Sequence, residues 1–236
     1  MHETSSALSG SIRVVDRGDE RRLIAGGDTL SAIPLASDWT GLRGAYWSRA
    51  LDAASLTSRP AALFVGAGGC TQIHLLHARA RPRAVTVVER DPVILQVAQR
   101  YFRLDHVPRA EFLCAAIEDV LPWLESSARR FDFIMEDAAY RAPLDQALAL
   151  ITRLAGLLGP RGTLVLNRHA RFRARETAGG LRALFARVIL RRMGDNALIC
   201  ATGLRRHPPP APPRAAGPRR SPVTTSRAPT RARSTG

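Results

Sequence analysis

The sequence predicts an α/β fold: a doubly wound, mostly parallel sheet of seven strands with an antiparallel final strand, a small N-terminal β appendage and a disordered C-terminal tail. Three observations carry this. From residue 61 onward, short apolar runs alternate with helical stretches, the pattern of a parallel sheet covered by helices on both faces. A glycine-rich turn follows the first of these runs. The last two runs, R-V-I-L-R-R and N-A-L-I-C-A-T, are separated by too few residues for a parallel crossover, so one must run antiparallel as half of a hairpin.

In chain order, residues 1–10 are polar and read as a flexible end. S-I-R-V-V and R-R-L-I-A flank a D-R-G-D turn, and T-L-S-A-I-P-L follows the Gly26-Gly27 break, which makes 11–36 a β appendage. The main domain is expected over 37–204. A helix containing Trp39, Leu42, Tyr46 and Leu51 leads into its first strand. Strands are then expected at 61–66, 84–89, 110–114, 131–136, 163–167, 187–191 and 196–202, with helices at 71–79, 92–102, 117–126, 143–158 and 175–185 between them. Asp91-Pro92 supplies an N-cap and a first-turn proline, and Gly159-Pro160 is expected to stop the fourth of these helices. From Arg205 the chain turns to Pro, Arg, Ala, Ser and Thr, with too little apolar surface to offset its ordering entropy.

Composition narrows the function. No apolar run approaches the roughly 20 residues of a membrane span, and the start lacks the basic and apolar segments of a signal peptide, so a cytoplasmic protein without a membrane partner is expected. Cys70, Cys114 and Cys200 are odd in number and lack metal or redox spacing, and Cys114 and Cys200 fall in strand-like core stretches. The net charge of +15 suggests nucleic acid, yet eight of the arginines lie in the tail from Arg205 onward, alongside no acid. Every Lys/Arg-type residue is Arg, which removes lysine-based covalent chemistry.

The chemistry concentrates between Ala61 and Tyr140. The strand A-L-F-V-G runs into Gly66, Gly68 and Gly69, and such a turn lets a ligand lie against bare backbone at a helix N-terminus. Glu89 ends the next strand at close to the spacing of about 20 residues expected of an acid that grips ribose hydroxyls. Together they define a Rossmann-like nucleoside site with Gly66, Gly68, Gly69, Glu89 and the neighbouring Arg90 as candidate cofactor contacts, and a nicotinamide cofactor as the first rival occupant. Asp137 ends a third strand, F-D-F-I-M-E, either as a functional acid or as the cap of the following helix. His74 and His77 share a helix face without a third ligand, and Arg168, His169, Arg171, Arg173 and Arg175 form either a steering cluster for an anionic acceptor or a solvated loop.

L-L-G-P-R-G-T-L-V-L-N at 157–167 and the closing hairpin resemble the sheet of class I S-adenosylmethionine (SAM)-dependent methyltransferases. V-V-E-R-D-P-V-I, A-Q-R-Y-F and F-D-F-I-M-E-D-A-A-Y-R-A-P place the resemblance in the spermidine synthase branch, the polyamine aminopropyltransferases, over about residues 11–204. It implies SAM or decarboxylated SAM as cofactor, with Gly66 and Gly68 beneath its methionine part, Glu89 on its ribose, Ala116 at the adenine-binding position and Asp137 bordering the cofactor as well. It also implies Asp137 beside the acceptor amine as catalytic acid or base and Tyr46 on the substrate.

The departures are specific. The family's G-G-G-D-G-G is G-A-G-G-C-T here, D-S-S-D is D-A-A-Y, Y-H-E is Y-W-S, and the adenine-binding G-D-A is replaced by Cys114-Ala115-Ala116, with Glu118 or Asp119 as substitutes. Gly69, Tyr140 and Ser48 thus stand where acids should, and burying a multiply charged amine without them costs several kcal/mol per charge. The expectation is a SAM-dependent transferase favouring methyl transfer, with Asp137 as base and Tyr140 orienting a small-molecule acceptor. Aminopropyl transfer is the alternative, and a non-catalytic nucleoside-binding protein with a polyanion-binding tail is the alternative of another class. The expected partners beyond the acceptor are a polyanion such as nucleic acid, held by the tail, and a second copy of the chain.

Overall fold

The computed structural model describes residues 1–205 apart from positions 37, 39, 55, 105, 106, 170 and 171. The expected disordered tail, apart from its first residue Arg205, therefore lies outside the described residues, as do Trp39 and Arg171.

Four strands come first: β1 His2–Ser6, β2 Gly10–Arg17, β3 Glu20–Ala25 and β4 Asp28–Pro34, paired in sequence as an antiparallel sheet. Ile12, Val14, Leu23, Ala25 and Ile33 are buried and pack with Ile94, Val97 and Phe102 of the main domain. Residues 1–10 differ from the flexible end expected. His2–Ser6 pairs with β2, and the Ser6 and Ser9 hydroxyls both donate to Asp91 Oδ2. A strand with no apolar alternation, held by its neighbour and by a distant helix cap, leaves no periodic signal.

The main domain runs α1 Tyr46–Ala53, β5 Ala61–Val65, α2 Thr71–Ala80, β6 Ala84–Glu89, α3 Pro92–Tyr101, β7 Ala110–Cys114, α4 Ile117–Ser126, β8 Phe131–Glu136, α5 Leu144–Gly156, β9 Leu158–His169, α6 Ala174–Leu184, β10 Phe185–Met193 and β11 Asn196–Leu204. The sheet order is β10-β11-β9-β8-β5-β6-β7, with β11 antiparallel to both neighbours and the other pairings parallel. All five residues of β5 are buried, as a central strand covered on both faces requires. Asp91 caps α3 as expected, its Oδ1 accepting from Val93 N at 2.9 Å.

One boundary differs, and so does one expected core position, Cys114. The chain rejoins the sheet at Leu158, opposite Phe131, and the G-P-R-G stretch is a bulge inside β9 rather than a linker before it. Gly162 is needed there because a Cβ would lie 2.8 Å from the Phe131 carbonyl oxygen. Cys114 ends the edge strand β7 exposed, whereas Cys70 and Cys200 are buried, and all three are free thiols.

Strand order reverses at β5: β6 and β7 extend one way, β8 and β9 the other. Ligands of open α/β sheets bind outside the carboxyl ends of the strands at such a switch point. The turn after β5 and the loop after β8 meet there. Among the described residues no helix is long and apolar enough to cross a membrane.

Candidate active site

A cavity of about 870 Å³ opens at this switch point, within the range of sites for small molecules and cofactors. Gly66, Gly68, Glu89, Arg90, Ala116, Asp137, Tyr140 and Tyr46 all line it; of the expected site residues, Gly69 does not.

The turn after β5 is shaped by positive φ at Gly66 (+93°) and Gly68 (+48°). Its tightness is a packing requirement as well, since a Cβ on Gly66 would lie 3.2 Å from Ala138 N and one on Gly68 2.8 Å from Ser31 Oγ. Gly69 faces the other way. Its N–H donates to Ser31 Oγ at 2.6 Å, and a Cβ would sit 2.6 Å from Phe102 Cδ1. Phe102 is fully buried and has no room to yield. Restoring the family's acid by Gly69→Asp should therefore destabilise the fold by about 1–3 kcal/mol, the usual scale of overpacking, without creating a cation site. A urea midpoint unchanged from wild type would show that the β4–α3 packing accommodates the side chain.

Glu89, at the end of β6, is held by two backbone donors: Ala67 N to Oε2 at 2.9 Å and Asp91 N to Oε1 at 3.0 Å. Each carboxylate oxygen keeps a second lone pair for a further donor. One side chain thus ties the glycine turn to α3 and offers the paired acceptors that vicinal hydroxyls need. Ala116 precedes α4 on the cavity wall, and Glu118, rather than Asp119, lines the cavity beside it.

At the other end, Asp137 follows β8 and caps no helix. The N-cap of α5 is Pro143, without a side-chain cap bond, and the carboxylate that satisfies the turn is Glu136, whose Oε1 accepts from Ala138 N at 2.9 Å and Ala139 N at 2.6 Å. Asp137 is left for the cavity. Its Oδ1 accepts from Asn167 Nδ2 at 2.8 Å and its Oδ2 from Tyr46 Oη at 3.0 Å. Burial raises its carboxyl to about 6 against the pull of those two donors, and burial and the Asp137 charge push the Tyr46 hydroxyl up. A carboxylate of this kind is mostly ionised at neutral pH yet basic enough to take a proton.

Tyr140 reaches neither the cofactor end nor Asp137 directly. Its hydroxyl donates to Asp28 Oδ2 at 3.0 Å, an acid supplied by β4. Ser48 stays out of the cavity, buried and bonded to Arg79. The basic cluster at the end of β9 and beyond divides: Arg168, still within the strand, is fully buried, donating to the carbonyls of Ala139, Ala142 and Phe172, whereas Arg173 and Arg175 are exposed. Arg168 pins the loop carrying Tyr140 and is not available to an acceptor. His74 Nε2 bonds to the Phe102 carbonyl, and among the described residues no group of three metal-ligating side chains exists.

Asn167 and Asp28, which line the cavity, were not singled out by sequence. Asn167 had a weak signal, as the last polar residue of an apolar strand beside β8. Asp28 had none, because only the docking of the N-terminal sheet brings it to the cavity.

Known proteins share this fold. A probable spermidine synthase from Corynebacterium glutamicum superposes with a TM-score of 0.66 at 21% identity, over 85% of this chain and 79% of that one. Human methyltransferase-like protein 13 in complex with SAH superposes with a TM-score of 0.52 at 23% identity, over 61% of this chain and 71% of that one. In sequence, the eEF1A lysine and N-terminal methyltransferase homolog of Drosophila melanogaster is 30% identical over 117 residues, 44% of this chain but 17% of that protein, so the chain matches about a sixth of that relative's length. No protein-family model matches. The chain has the Rossmann-like α/β fold that these methyltransferases and spermidine synthases share, a seven-stranded sheet preceded here by a four-stranded antiparallel sheet.

Proposed function

We propose that the protein is a SAM-dependent transferase that moves a methyl group to a small-molecule amine. The observation that supports it best is the pairing, in one switch-point cavity, of a ribose-type acid at the end of β6 with a near-neutral carboxylate at the end of β8. The residues fit the cofactor: Gly66 and Gly68 keep the turn free of side chains, Glu89 presents two oriented oxygens, and Ala116 and Glu118 border the space beyond it. When bound, SAM supplies a sulfonium whose methyl carbon is already electrophilic. The chain's own part is to align the acceptor nitrogen in line with that carbon and to take its proton at Asp137. Tyr46 and Asn167 hold the carboxylate in place, each bonding one of its oxygens.

Methyl transfer is favoured over aminopropyl transfer because the acids expected around a polyamine are missing as a set. Gly69 is filled by Phe102, Ser48 is turned to Arg79, and Tyr140 is neutral. Extra ammonium groups would lose hydration without paired carboxylates. Aminopropyl transfer from decarboxylated SAM remains the second reading, supported by the spermidine-synthase-like N-terminal sheet. Calorimetry with SAM, decarboxylated SAM and NAD tests both. SAM should bind and NAD should not, and SAH should accumulate with an amine acceptor. Tight NAD binding would overturn the reading, and robust aminopropyl transfer to putrescine would promote the second.

A further inference from the structure

Asp28 is the first residue of β4 and the one acid the N-terminal sheet contributes to the cavity wall. A single oxygen, Oδ2, accepts from Tyr140 Oη at 3.0 Å and pairs with Arg141 Nη2 at 2.8 Å. The Arg141 guanidinium also lies 5.3 Å from the Tyr140 ring centroid. Asp28, Tyr140 and Asp137 line the same cavity; burial comes first in pushing the Tyr140 hydroxyl up, and its bond to Asp28 adds to it. So a second carboxylate does line the cavity that holds Asp137, from a different part of the chain than the family's motif, but a cation already pairs with it. Asp195, the other acid on that side, sits exposed in the β10–β11 turn, where solvent and salt weaken its pull.

An acceptor with one ammonium meets Asp137 and then a charge-neutral wall. One with two would bring its far ammonium against Arg141, exchanging an existing ion pair for a new one and adding like-charge repulsion. We propose that Arg141, by occupying the Asp28 carboxylate, sets the acceptor class: the cavity takes molecules carrying a single ammonium group and rejects α,ω-diamines. This rests on the transferase reading only in placing the acceptor beside Asp137.

The test is direct binding to the full-length chain, by calorimetry at fixed ionic strength, of 1-aminobutane and 1,4-diaminobutane, each with and without SAH. Wild type should bind the monoamine at least as well as the diamine. Arg141→Ala should raise diamine affinity at least tenfold while changing the monoamine by less than threefold, and adding Asp28→Asn should erase the gain. Arg141→Gln, which keeps much of the side chain's bulk against the Tyr140 ring, should act in the same direction. Arg141 is half exposed, and an unchanged melting temperature in each variant checks the fold. Unchanged diamine affinity in Arg141→Ala, a gain that survives Asp28→Asn, or no binding of either amine to any variant would overturn the proposal. Failure of SAH to bind would instead strike the transferase reading, while the arms without SAH still decide the role of Arg141.

Discussion

Asp137→Asn is expected to lower turnover by roughly 100-fold or more while leaving SAM affinity within a few-fold, the scale for losing a general base. The substitution is structurally quiet. An asparagine Oδ1 still accepts from Asn167 Nδ2, and its amide donates to Tyr46 Oη, whose hydroxyl rotates to serve as acceptor. Only the ability to take a proton is lost. Because burial raises Asp137 to about 6, wild-type kcat/KM should fall about tenfold per pH unit below that value, and the variant should lack this limb. The same shift has a stability sign. A carboxyl raised from 3.8 to about 6 favours the folded state in its protonated form, a contribution fully present below about 3.8 and lost as pH rises through about 6. Removing the charge should thus raise the Tm at pH 8 relative to wild type and change it little at pH 3.5. Full turnover in Asp137→Asn would mean that the acceptor loses its proton elsewhere.

Glu89→Ala is expected to weaken SAM by about 1.5–3 kcal/mol, or roughly 10- to 150-fold in Kd, the range for hydrogen bonds to a charged group. Two effects act together: the ribose loses its acceptors, and the glycine turn loses the bond from Ala67 N that ties it to β6. They separate by chemistry. Adenosine, which keeps the ribose but lacks the methionine part, should lose affinity in the same proportion if the ribose contact dominates. A mainly turn-based effect would weaken SAM more than adenosine. Unchanged SAM affinity would show that the ribose lies elsewhere.

The elements of the main domain were legible because their signals are local. Asp91-Pro92 opens α3 by its own capping chemistry, the apolar V-T-V-V of β6 marks a strand buried on both faces, and the short turn before Asn196 forces a hairpin. Glu89 and Asp137 were legible for the same reason, since each ends a strand and strand ends in a parallel sheet face one crevice. The polar strand His2–Ser6 was not, because what holds it is β2 and the side chain of Asp91, far along the chain.

The sequence by itself determined the sheet, its switch point and the two acids placed at it, since periodicity, capping and strand-end position are carried by neighbouring residues. Tertiary structure alone decided what those acids face. Packing of Phe102 closed the space at Gly69, and burial moved the Asp137 carboxyl toward neutrality. Docking of β4 delivered Asp28 to Tyr140 and Arg141. Desolvation and charge pairing depend on which distant segments come within a few ångströms, and no local pattern records that.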